Sequence, residues 1–273
     1  MGREQESFPN AEEDLRTLKE TPETAQTKAP AFRLAFADAD FLCRDELRST
    51  RIHLEMLKPE MILAERGIES TVVMFGGARI PDPEYKSTAR TETLADLSKY
   101  YDEARKFAYI VTEKSMESYG RENVIVTGGG PGVMEAGNRG AMDAGGASIA
   151  LNIVLPFEQT PNEYCTPELC FNFHYFATRK IHFLMRAKAV TAFPGGFGTL
   201  DELFETLTLI QTERMRRVPV ILFGEKFWRS IINWETLADA GTIGADDLEL
   251  FSFVETADEA VAILNDWDAK NPD

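Results

Sequence analysis

The chain has 273 residues, a formal net charge of −16, 44% apolar and 10% aromatic residues, which is enough for one large α/β domain with a sizeable core. So acidic a chain repels nucleic-acid backbones and anionic membranes, and no apolar run approaches the roughly 20 residues that span a bilayer. The polar N-terminus has no secretory h-region, Cys43, Cys165 and Cys170 form no C-x-x-C pair, and His53, His174 and His182 lack ligand spacing. A cytoplasmic protein without metal, cofactor, nucleic-acid partner or membrane partner is expected.

Residues 1–30, rich in Glu, Thr, Gln and Pro, read as a disordered or loosely attached tail. Residues 31–68 read as an N-terminal helical extension, in which Phe41, Leu42, Leu47, Ile52, Leu54, Met56, Leu57, Ile62 and Leu63 recur among charges. Pro59 is expected to divide that stretch into two helices. Residues 69–273 then alternate strands with helices. The strands are Thr71–Phe75, Asn123–Val126, Ser148–Ile153, a candidate within Leu169–Tyr175, Ala189–Phe193 and Val218–Phe223. A long helix is expected from about Ser87 to Tyr119, and another from Thr256 to Trp267. This alternation predicts a Rossmann-like α/β fold, a doubly wound parallel sheet with helices on both faces. Ligands of such sheets bind beyond the carboxyl ends of the strands, where both glycine clusters of this chain fall.

The first cluster, Thr127-Gly128-Gly129-Gly130-Pro131-Gly132-Val133-Met134-Glu135, follows a strand and opens a helix, so backbone N–H groups can converge on an anion. It is not the dinucleotide fingerprint, because Val133 stands where the third glycine belongs, and no Walker lysine is present. The second, Pro194-Gly195-Gly196-Phe197-Gly198-Thr199-Leu200-Asp201-Glu202, repeats the strand–turn–helix pattern. Thr199 reads as an N-cap, and Glu202 three residues later is either the capping-box partner or a ligand-facing carboxylate. Between them lies Ala177-Thr178-Arg179-Lys180-Ile181-His182, with Ile181, Leu184 and Met185 expected to be buried. Arg179, His182 and Arg186 would form a basic ridge, holding phosphate or making surface ion pairs.

In joint order, G-G-G-P-G-V-M-E, T-R-K and P-G-G-F-G-T-L-D-E resemble the LOG ("Lonely Guy") phosphoribohydrolases, a family often labelled lysine decarboxylase, over roughly residues 70–267. No pattern around a lysine suggests a pyridoxal phosphate site. The resemblance implies cleavage of nucleoside 5′-monophosphates, AMP or cytokinin riboside monophosphates, into free base and ribose 5-phosphate, by a homodimer or larger homo-oligomer. It implies that Gly195, Gly196, Gly198 and Thr199 hold the 5′-phosphate and that Arg179 and Glu202 are catalytic. Gly129, Gly130, Gly132, Glu135 and Lys180 would line the ribose and base side. Three features depart from the family pattern: Gly77 where a serine is usual, Phe176-Ala177-Thr178 in place of a methionine-led helix start, and the long N-terminal extension. The alternative is a non-catalytic nucleotide or molybdenum-cofactor carrier of the same fold; such carriers lack the catalytic pair.

Overall fold

The computed structural model describes residues 9–156 and 160–271. The chain divides into two compact units, residues 1–54 and 55–273. The helices are α1 (Ala11–Glu20), α2 (Ala39–Leu42), α3 (Arg48–Glu65), α4 (Glu92–Asp96), α5 (Lys99–Ser115), α6 (Val133–Asp143), α7 (Phe176–Met185), α8 (Phe197–Gln211), α9 (Glu225–Ile231), α10 (Trp234–Asp239) and α11 (Ala257–Lys270). The strands are β1 (Thr71–Phe75), β2 (Val124–Thr127), β3 (Ser148–Ile153), β4 (Cys170–Phe173), β5 (Ala187–Ala192), β6 (Val220–Phe223) and β7 (Phe251–Val254).

In the first unit, α1 forms within the stretch expected to be a tail. The Asn10 side chain accepts from the Glu12 and Glu13 amides, the Glu13 carboxylate returns the bond to the Asn10 amide, and no residue of α1 is buried. Asp38 caps α2 by accepting from the Asp40 and Phe41 amides, and Arg33 bridges Asp38 and Asp40 at 3.2 and 2.6 Å.

The second unit is built on one parallel sheet of order β4-β3-β2-β1-β5-β6-β7. The chain winds outward from β1 to one edge, returns to the other side of β1 as β5, and winds outward again. That reversal opens a crevice above the carboxyl ends of β1 and β5. Every residue of β1, β2 and β6 is buried, as a strand covered on both faces requires. Val73 and Phe75 face a layer that includes Phe183 of α7, Leu203 of α8 and Trp228 of α9. Val72 and Met74 face a second layer with Phe107 of α5, Ala136 of α6 and Ala260 of α11. Each buried Val, Leu, Met or Phe among these contributes about 1.5–3 kcal/mol.

The structure departs from expectation in three places. The single helix expected over 87–119 is a turn of 3-10 helix (Pro83–Thr88), then α4 and α5, because Asp82 and Thr91 each accept from a nearby amide and start separate segments. Pro59 does not divide α3, which runs through it. A proline costs its helix the bond to the carbonyl four residues back, and here His182 Nε2 lies 3.0 Å from that carbonyl, on Glu55. The edge strand β7 was not foreseen; Ser252 is exposed, Phe251 and Phe253 are partly covered and only Val254 of the four is buried, so it lacks the apolar run of the central strands. Among the described residues no helix is long and apolar enough to cross a membrane. No group of three or more His, Cys, Asp or Glu among them is disposed to hold a metal.

Candidate active site

Three turns close the floor of the crevice. Gly77, after β1, donates its N–H to the Pro194 carbonyl at 3.0 Å, and its own carbonyl accepts from Val133 N–H at 3.3 Å. The turn after β1 therefore joins the turn after β2 to the turn after β5. The contact is close: a Cβ at Gly76 would stand 2.5 Å from Val133 Cγ1.

The turn after β2 is fixed by a buried polar network. Thr127 Oγ1 accepts from the Gly129 amide at 3.0 Å and donates to Asn138 Oδ1 at 2.7 Å. Asn162 Nδ2 donates to the carbonyls of Gly129 and Gly130 and to Asn138 Oδ1, all at 3.0–3.1 Å. Gly132, at φ +69°, has no room for a side chain, because a Cβ would collide with the Gly77 carbonyl oxygen. The asparagines that do this holding, Asn138 and Asn162, carried no sequence signal apart from Asn138 interrupting the buried face of α6.

The turn after β5 differs. α8 begins at Phe197 after Gly196, and no side chain caps it. Thr199 is thus the third helical residue rather than the N-cap, and the expected Thr199–Glu202 capping box does not form. The unsatisfied first-turn amides face the crevice end of the sheet, where a helix N-terminus favours an anion. A Cβ on Gly195 would collide with the Thr199 hydroxyl, so Thr199 is packed under the turn. Gly196 and Gly198 have nothing within 4 Å of a built Cβ among the described residues.

α7 presents Arg179 to the same place. Its Nε donates to the Leu151 carbonyl at 2.6 Å, its Nη1 lies 3.5 Å from Glu202 Oε1, and its guanidinium carbon sits 5.1 Å from the Phe183 ring centre. A Cβ on Gly128 would come within 2.5 Å of Arg179 Nη2, so the glycine turn and the arginine are in contact. Burial pushes the Glu202 carboxyl up to about 7, and the opposing pull of Arg179, across a long 3.5 Å separation, does not offset it. A carboxylate poised near neutral pH beside a fixed guanidinium can hold or release a proton at physiological pH.

The basic ridge expected on α7 is corrected. Arg179, His182 and Thr178 are buried, while Ile181 and Met185, expected to be inside, are 47% and 50% exposed. The polar face is inside because each of its members has a partner there: Thr178 and His182 on Glu55, Arg179 on Leu151 and Glu202, with Arg186 on Glu60 at the helix end. Lys180 turns to α8, 3.2 Å from Asp201 and 3.0 Å from Glu205. Glu135 accepts from the buried Tyr101 hydroxyl at 2.6 Å, and that hydroxyl also lies 3.4 Å from Arg139, which pairs with Asp82. Gly128, Arg179, Glu202 and the Gly195–Thr199 turn are therefore brought together, whereas Lys180 and Glu135 are committed to neighbouring contacts. Arg79, exposed in the turn after β1, was not singled out from the sequence.

Residues 134–264 match the family model described as "Possible lysine decarboxylase". No curated protein matches the sequence. Among solved structures, a molybdenum cofactor carrier protein from Chlamydomonas reinhardtii is 16% identical, with 74% of this chain and 99% of that chain covered and a TM-score of 0.49. The molybdenum cofactor binding protein of the phototrophic bacterium Rippkaea orientalis is 15% identical over 72% of this chain and 96% of that chain, with a TM-score of 0.48. A structural-genomics target solved by X-ray crystallography is 20% identical over 72% and 99%, with a TM-score of 0.47. The family match spans both the Thr178-Arg179-Lys180 segment and the turn from Pro194 to Glu202, and the Gly128–Gly132 turn precedes it in the family's order. Residues 134–264 of this chain thus carry a LOG-family domain, the group that has the lysine decarboxylase description.

Proposed function

We propose that the chain hydrolyses the N-glycosidic bond of nucleoside 5′-monophosphates, AMP or a cytokinin riboside monophosphate, releasing free base and ribose 5-phosphate in the cytoplasm. The observation that carries this is the buried Arg179–Glu202 pair beside the uncapped start of α8. The open backbone at Gly196 and Gly198, with the Gly195 and Thr199 amides, offers donors for the 5′-phosphate. Anchoring the phosphate there orients the sugar toward the pair.

In the reaction the bond from C1′ to the base nitrogen breaks, the C1′–oxygen bond to water forms, and the base leaves with a proton. The transition state carries positive charge on the ribosyl ring. Ionised Glu202 stabilises that charge and takes the proton of the attacking water, while Arg179 holds Glu202 and contacts the ribose or the leaving base. Gly129, Gly130 and Gly132 form the wall on the ribose and base side, with Glu135 in the first turn of the helix that follows and Lys180 beside Arg179, turned to α8. Phe176, Ile181 and Met185, exposed on α7, suit a homodimer, which sedimentation would register as twice the 30.6 kDa of one chain.

The test is chromatography of products after incubation with AMP and a panel of nucleoside monophosphates. Free base and ribose 5-phosphate from wild type, lost in Glu202→Ala, support the assignment. Nucleotide bound without any product would replace it with the carrier reading, that of a non-catalytic nucleotide or molybdenum-cofactor binding protein.

A further inference from the structure

Arg179 is held in place from outside the crevice, by the second half of α3. The Glu55 carboxylate sits at the N-terminus of α7, where it accepts from the His174 amide at 2.8 Å, the Tyr175 amide at 3.3 Å and the Thr178 hydroxyl at 2.7 Å. No side chain of α7 caps its own start, so Glu55 supplies both the missing acceptor and the negative charge that a helix N-terminus favours. Midway along α7, His182 Nε2 lies 3.0 Å from the Glu55 carbonyl. Facing a carbonyl, that nitrogen must carry the hydrogen and donate. The carbonyl is available because Pro59, four residues on, has no N–H to bond it. At the far end, both terminal guanidinium nitrogens of Arg186, the C-cap of α7, engage the Glu60 carboxylate, Nη2 at 3.0 Å. Glu60 also lies 3.6 Å from His182 Nδ1.

Start, middle and end of α7 are thus each tied to Glu55 or Glu60, and Arg179 lies between two of the tied residues, Thr178 and His182. We propose that Glu55 and Glu60 are positioning residues: they fix the axial position and rotation of α7, and through it the distance of Arg179 from Glu202. The consequence for turnover rests on the nucleotide cleavage proposed above; the consequence for the Arg179 side chain does not. A displacement of about 1 Å at a reacting group costs on the order of a hundredfold in rate.

The experiment uses the full-length protein with ¹⁵N-labelled arginine, so that the Arg179 Nε–H, bonded to Leu151, is followed by NMR while AMP turnover is measured on the same samples. In Glu55→Ala the Nε–H is expected to exchange with water at least about tenfold faster. Turnover number should fall by roughly ten- to a hundredfold with KM changed less than about threefold. Glu55→Gln, which keeps one acceptor oxygen at the start of α7, is expected to restore most of both. Thr178→Val removes one of the same bonds from the α7 side and serves if Glu55→Ala does not fold. Unchanged Nε–H exchange in the folded variants overturns the proposal, as does a turnover loss that follows only the unfolded fraction. If wild type cleaves no nucleotide but the Nε–H is still released by Glu55→Ala, positioning stands and nucleotide cleavage falls.

Discussion

At Gly129 and Gly132, in the turn after β2, a side chain would collide with Asn152 and with the Gly77 carbonyl. At Gly196 and Gly198, in the turn after β5, it would meet nothing within 4 Å among the described residues. As sequence the two clusters look alike, each following a strand and opening a helix. In the fold one is glycine-rich because other backbone and side chains already occupy the space, and the other because the space is kept open. Composition therefore identifies a close approach without identifying what approaches.

The comparison breaks if substitutions in the two turns behave alike. The largest effect is expected at Glu202, six residues into α8: Glu202→Ala should lower the turnover number for AMP by about 10²–10³-fold, the size of losing one preorganised electrostatic contact. Product chromatography measures it, and a loss under tenfold would move the chemistry elsewhere. Next is Gly132→Ala, which combines a left-handed backbone at φ +69° with a collision against backbone. A loss of about 2–4 kcal/mol in denaturant-unfolding stability is expected, against little or none for Gly198→Ala. Gly198→Ala should instead raise KM for AMP by roughly tenfold, since the methyl fills the space offered to the phosphate while the helix gains a better helix former. Equal destabilisation by the two alanines would remove the distinction between the turns.

The smallest effect is a pH dependence. Glu202 titrates near 7 because burial raises it, so kcat/KM should climb with pH up to about 7 and then level off, the ionised form being the working one. Folding follows the opposite sign. The folded value lies above the ordinary carboxylate value, so Glu202 favours the folded state most at low pH, and that contribution is lost as pH rises through about 7. A flat rate profile between pH 5 and 8 would take Glu202 out of the proton-transfer step.

Much of the fold was legible because the central strands are buried on both faces. Runs such as Thr71-Val72-Val73-Met74-Phe75 are fully buried, and the expected β1, β3 and both glycine turns fall where the sequence suggested. What escaped was set by partners distant in sequence. The wheel of α7 was inverted because Glu55, Glu60 and Glu202 make its polar face the better-satisfied one inside. Thr199 was misread as a cap because α8 begins two residues earlier, with a glycine at the cap position and no side chain to announce it. The asparagines that hold the turn after β2 are separated by up to 33 residues from the carbonyls they bond, beyond the range of any local pattern.

The ties between α3 and α7 join residues 119 to 127 positions apart in the chain. β1, at the centre of the sheet, likewise finds β5 only after β2, β3 and β4 have been laid down on its other side. Loop closure over such distances is entropically slow, and contacts of high sequence separation form late in folding. The half of the sheet from β1 to β4 can therefore assemble as the ribosome delivers it, but the crevice cannot exist until β5 and α8 have emerged. A nascent or truncated chain that ends before α8 lacks Glu202 altogether while already presenting the glycine turn after β2. Acquisition of the site is in this sense a checkpoint on the sheet's central closure: a chain that holds Arg179 against Glu202 has brought β5 back beside β1, while β6, β7 and α9 to α11 are still to be added.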